Sequence, residues 1–278
     1  MSHSTALAIR TQYGQCLETH QALLFAAVQA PHCVFAWMNS YNGADLAWLT
    51  RSLRDGVPIS SIFGNEKISL PNLVTNGFLS SLQISDKLKE AAIKGHYVEW
   101  FRFCCDVFVD ASWRSEYNAA KHGLRLSSGG FSLSIGFEDI PGVPAPPERM
   151  RSVMSSKFGS STVRLERASA NVSVAVTETI GWDLETLVAG IRLMRMSMDN
   201  IRSYARILNG VPADKVQFVW PDVLETFDGA MRRTAPRTAF RNSFPHDQIP
   251  VLDADQLRSL YEAYWIDEER ADLEPLQP

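Results

Sequence analysis

Most of the signatures that name an enzyme are missing from this chain. Its 278 residues hold only four cysteines, Cys16, Cys33, Cys104 and Cys105, and none is spaced as Cys-x-x-Cys or as a Cys/His zinc set. His-x-x-x-His and His-Glu-x-x-His are absent, so neither a metal nor zinc hydrolysis is expected. Gly129-Gly130 has neither the lysine of a phosphate loop nor the spacing of a dinucleotide fingerprint, and no Gly-x-Ser-x-Gly elbow occurs. No cofactor is expected on this basis. No stretch approaches ~18 consecutive apolar residues, so no membrane span is expected. A basic region followed by an apolar run is also missing at the start, which reads as a cytoplasmic protein with reduced thiols. The net charge of −4 lacks the cationic excess that drives general polyanion binding.

What is present is ordinary globular material. At 45% apolar and 21% charged residues, the chain can build a full hydrophobic core without disulfides. The spacing of Leu17, Leu24 and Val28 predicts a first helix over 5–29. One or two short helices are expected over 32–55, broken at Asn42-Gly43 with Asp45 as a cap, and a long surface loop over 55–76 in which a strand is left open. Ser85 reads as the N-cap of a long helix running to His122, with Gly95 as a break or kink. Its stripe of Phe101, Cys104, Phe108, Ala111, Ser115, Asn118 and His122 is expected to face the core, and Gly123 to end the helix.

The period then changes to two. Phe131, Leu133, Ile135 and Phe137 alternate with small or polar residues, 163–168 and 172–179 read as two further strands, and Ser169-Ala170-Asn171 as the turn between them. The proline-rich run 141–149 reads as an exposed linker. Helix returns behind the cap Asp183 and runs to Leu208, with Leu184, Leu187, Ile191, Met194, Met198, Ile201, Ala205 and Leu208 as its inner stripe. Arg192, Arg195, Arg202 and Arg206 fall on its wet side. Arg232, Arg233, Arg237 and Arg241 form a basic cluster that could track phosphates or pair with the eight acids of 253–278, where a short helix from Asp255 to Trp265 is expected. The fold class read from this pattern is α+β, mainly helical with a small antiparallel sheet. A helical region (1–125) precedes a sheet, long helix and irregular end (126–278), whether as two domains or one.

Asn118 and His122 are the best candidates for chemistry. An amide and an imidazole four residues apart share a helix face, and a polar pair facing a core must be hydrogen-bonded. They serve either as a packing clamp or as the lining of a cleft, and histidine suits acid–base work near neutral pH. The run Tyr117-Asn118-Ala119-Ala120-Lys121-His122 resembles the motif of the HEPN superfamily of helical proteins: an arginine, a polar residue, and a histidine after a short gap. In that family the arginine and histidine often form a metal-independent RNase site completed by a second copy. Here Asn118 and His122 match the polar residue and the histidine, while Tyr117 stands where the arginine belongs. A tyrosine offers one neutral hydroxyl in place of a permanent cation with a fork of donors. The resemblance therefore implies a non-catalytic, homodimeric binding or regulatory protein with a protein partner. The alternatives are an RNase that uses His122 and Asn118 with Arg114 or Tyr117 on RNA, and a structural module outside that family.

Overall fold

A computed structural model describes residues 1–57, 59–61, 64–122, 126–140, 142–169, 172–232, 237–245, 255 and 259. The protein is mainly helical α+β, with one four-stranded antiparallel sheet. In chain order the elements are α1 (His3–Gln29), α2 (Val34–Ser40), α3 (Gly43–Arg54), the strands β1 (Ile59–Ser61) and β2 (Gly64–Ile68), then α4 (Leu70–Asn72), which continues as a wide π-helical turn over Leu73–Phe78. After these come α5 (Lys87–Val109), α6 (Ala111–His122), β3 (Leu126–Ile135), β4 (Arg151–Arg167), β5 (Val172–Gly181), α7 (Leu184–Leu208), α8 (Glu225–Ala230) and β6 (Arg237–Pro245). β1 pairs with β2 and the larger sheet runs β3-β4-β5-β6. No described helix is long and apolar enough to cross a membrane. The contacts divide the chain into two compact units, Met1–Val163 with Thr177–Ala239, and Arg164–Val176 with Phe240–Pro278.

The core of the larger unit is built around α1. From His20 to Val28 every residue of α1 is buried, so this half is covered on all sides and shows no wet face. α7 lies along it, and glycines set the distance. A Cβ on Gly190 would stand 2.7 Å from the Tyr13 ring, and one on Gly14 would stand 2.4 Å from the ring of Tyr117. Only a bare backbone lets α1 meet α7 and α6 this closely. Leu17, Leu24, Phe25, Trp100, Leu193 and Ile201 fill the centre, each contributing about 1.5–3 kcal/mol on burial.

Polar side chains lock the helices in register. The Trp100 indole N–H donates to Ser197 Oγ at 3.1 Å, and Ser197 in turn donates to the Leu193 carbonyl. Asn200 makes a two-way bond to the Val219 backbone at 2.8 Å in each direction, and the Tyr97 hydroxyl donates to the same Val219 carbonyl. These bonds fix the extended stretch after α7 against α5 and α7, so that it returns the chain to α8.

Several expectations are corrected. Asn42 rather than Asp45 caps α3, because its side chain accepts from both Ala44 and Asp45 N–H. Asp86, not Ser85, caps α5. The helix runs through Gly95 without a break, since a lone glycine removes no backbone hydrogen bond. The expected loop over 55–76 contains β1, β2, α4 and the π-helical turn. β4 is 17 residues long, reaching well before the expected start at 163. β6 was not read from the sequence. Gly123, the turn residues 170–171, and all of the expected 255–265 helix except Asp255 and Ser259 lie outside the described residues.

The main correction concerns the helix meant to reach His122. It stops at Val109. Asp110 has extended backbone (φ −63°, ψ 125°), and its carboxylate accepts from the Ser112 and Trp113 N–H groups, starting α6 afresh. The inner stripe holds through Phe101, Cys104 and Phe108, then changes phase. In α6 it is Ser112, Trp113, Glu116, Tyr117 and Ala119 that are buried, while Ala111 and Asn118 are exposed and Ser115 is half-buried. In α7 the buried set is Leu187, Gly190, Leu193, Met194, Ser197, Asn200, Ile201 and Ser203, so Leu184, Ile191, Met198, Ala205 and Leu208 are only half-buried. The four arginines of α7 are exposed as expected. In the sheet, the register between β3 and β4 slips at Leu133/Ser134, and the alternation fails there: Phe131 and Leu133 are half-buried while Ile135 is exposed.

Candidate functional site

The phase change in α6 creates the best-built polar site. Turning Glu116 inward places a carboxylate 1% exposed in the interior, where an unpaired charge would be prohibitive. It is paired completely. Arg10 of α1 approaches through Nε at 3.0 Å and through Nη2, both on one carboxylate oxygen. The other oxygen accepts from Ser160 Oγ of β4 and from the Trp182 indole N–H at 2.7 Å. Burial alone would raise the Glu116 pKa, but the Arg10 charge and the hydrogen bonds from Arg10, Ser160 and Trp182 outweigh it and hold the carboxyl below its ordinary value. Desolvation works against the Arg10 guanidinium in the same way, and Glu116 more than offsets it. A carboxylate fixed as an ion with four donors is a poor proton shuttle and a good clamp: it ties α1, α6, β4 and the β5–α7 corner to one point.

A cleft of about 320 Å³ opens beside this clamp, within the larger unit. Its apolar walls come from Tyr13, Phe103, Val107, Trp113, Ile180, Trp182 and Leu187. Asp110 and Asp183, the N-caps of α6 and α7, stand at its edge, and each is occupied by the N–H groups that it caps. Arg10, Thr186, Arg232 and Arg237 also line it. Arg237 donates from Nε to Glu178, a carboxylate 2% exposed, and its Nη1 lies 4.0 Å from Asp110. Arg232 is exposed and makes no ion pair among the described residues.

The predicted site residues are therefore dispersed. Tyr117 is buried, stacked on Trp113 at 5.2 Å between ring centroids, and donates its hydroxyl to Glu18 at 2.8 Å. Burial, the Glu18 hydrogen bond and the Glu18 charge push its phenol pKa well up, so it stays neutral. Lys121 also reaches Glu18, at 2.7 Å, and lies over the Tyr117 ring. Asn118 is exposed, not core-facing, because α6 begins in a new phase at Asp110. Arg114 is half-buried, one turn before Asn118. His122 ends α6, and its side chain lies outside the description. Of the basic cluster, the cleft brings Arg232 and Arg237 together, Arg233 lies outside the described residues, and Arg241 pairs with Glu166 at 3.1 Å in the smaller unit. Among the described residues, no group of three or more His, Cys, Asp or Glu side chains is placed to hold a metal ion.

Sequence reasoning did not single out Arg10, Glu116, Trp113 or Trp182. One signal was available: Asp110 followed by Ala-Ser-Trp is a helix start, and restarting the period there puts Trp113, Glu116 and Tyr117 on the inner side. No family model, curated protein or solved structure matches this chain.

Proposed function

We propose that this chain is a non-catalytic binding protein whose ligand is a small molecule held in the cleft beside the Glu116 clamp. The observation that carries this reading is a concave, aromatic-walled space beside buried carboxylates that are already paired, Glu116 with Arg10 and Glu178 with Arg237. Such a floor gives a rigid pocket and leaves no loose carboxylate to act as a general acid or base. The cleft is walled by one chain, so the reading needs no second copy.

In the same reading α6 is a structural helix. If the chain is akin to the HEPN proteins, it stands with members that lack the motif's arginine, and Tyr117 in that place supports packing rather than phosphate chemistry. The RNase alternative keeps one point in its favour: Arg114, Asn118 and His122 are spaced four residues apart, on successive turns of α6.

Two measurements test the proposal. Titration with the neutral fluorophore phenylnaphthylamine, read by energy transfer from tryptophan, should show saturable binding. Filling the cleft with Thr186→Trp should abolish it while the protein stays folded. Equal binding by that variant, or none by the wild type, overturns the reading. Incubation with single-stranded RNA should leave it intact. Cleavage lost in His122→Ala would replace the proposal with the nuclease.

A further inference from the structure

The cleft is unevenly equipped with charge. Each acid around it already has its donors. Asp110 Oδ1 accepts two helix N–H groups. Asp183 Oδ1 accepts two more, and its Oδ2 takes the Thr186 hydroxyl. Both lie at the positive end of a helix, which offsets part of their charge. Glu116 and Glu178 are matched by Arg10 and Arg237. The cations are not all used up. Arg232 has no ionic partner among the described residues, and Arg237 is engaged through Nε and, weakly, Nη1, which leaves its Nη2 edge unbonded. The Arg237 side chain is 47% exposed, so that edge is reachable.

We propose that the cleft binds a small aromatic molecule bearing an anionic group, with the ring against Trp113 and Trp182 and the anion on Arg232 and Arg237. This rests on the binding reading above and names the ligand class for the same site. A guanidinium presents a planar fork that suits a carboxylate, sulfonate or phosphate oxygen pair, and it is less strongly hydrated than an ammonium. The aromatic walls favour a flat ring over an alkyl chain through offset or edge contacts. A neutral ring would satisfy the walls and leave the arginines unpaired. A small inorganic anion would satisfy the arginines and leave the walls wet. Only a molecule carrying both parts uses the whole lining.

The test compares two probes with related aromatic bodies, anilinonaphthalene sulfonate and neutral phenylnaphthylamine, by tryptophan energy transfer at low and moderate salt. The wild type should bind the sulfonate at least tenfold more tightly than the neutral probe, and added salt should reduce that preference. Arg232→Met removes no ion pair found among the described residues, so the fold should be intact, and the preference should fall to within about threefold. Arg237→Lys keeps a cation beside Glu178 but loses the fork, and should give an intermediate preference. Equal affinity of the two probes for the wild type, or an undiminished preference in Arg232→Met, overturns the anion assignment while leaving the binding reading in place. Sulfonate binding that persists in Thr186→Trp places the probe elsewhere and overturns both.

Discussion

Lowering the pH should loosen this protein through His20. The ring is fully buried on α1, lies 4.8 Å from the Phe101 ring, and neither nitrogen has a hydrogen-bond partner. Burial alone lowers its pKa from 6.5 to about 3. The folded chain therefore refuses a proton that the unfolded chain accepts below pH ~6.5. The contribution is fully present above that pH and is lost as the pH falls toward the folded value. At about 1.4 kcal/mol per pKa unit, the loss is ~2 kcal/mol near pH 5 and tends to ~5 kcal/mol at and below pH ~3. A change of ~2 kcal/mol corresponds to a drop in Tm on the order of 4–8 °C for a domain of this size. Other groups titrate over the same range, so the informative quantity is a difference. His20→Leu removes the titration and the two unsatisfied nitrogens at little cost in volume. Urea unfolding of both proteins, followed by tryptophan fluorescence at pH 7.5 and 5, should show the wild type losing about 2 kcal/mol more than the variant. Parallel pH dependences would refute the argument, because they would mean that the ring is solvated or bonded in the folded state.

Breaking the Glu116 clamp should be costly from either side. Glu116→Ala strands the buried Arg10 charge and should cost about 3–5 kcal/mol in denaturant unfolding, whereas Arg10→Met with Glu116→Leu together should recover much of it. Gly14→Ala drives a methyl into the Tyr117 ring and should cost about 1–3 kcal/mol, with Tyr117→Leu relieving the strain; additive losses in the double variant would contradict the close approach. A thiol reagent should label Cys33 in the folded protein and reach Cys104 and Cys105 only on unfolding, since burial raises both thiols, Cys105 to about 12; fast native labelling of either would show the core to be open.

The legible parts of the molecule are those set by short-range pattern. The break at Asn42-Gly43, the cap Asp183, the three-to-four spacing of α1 and α7, and the Val172, Val174 and Val176 alternation are all local signals, and each element formed close to where it was expected. β1, β2 and β6 were missed or left open, because short or charged strands carry little period-two signal and form through the partner strand. The candidate site was hardest to foresee. One helix break at Asp110 moved the inner face of α6 from Asn118 to Glu116, since restarting a helix resets the rotation of every later side chain.

The chain by itself determined that helices dominate, that a small antiparallel sheet follows them, and roughly where α1 and α7 begin and end, because periodicity and capping act over a few residues. Only the tertiary structure decided which polar groups became a site. Arg10 and Glu116 stand 106 positions apart, and Trp182 lies 66 beyond Glu116. No spacing rule joins such groups. They meet because a carboxylate turned into the interior must find its donors there, wherever the packing of α1, β4 and α7 happens to supply them.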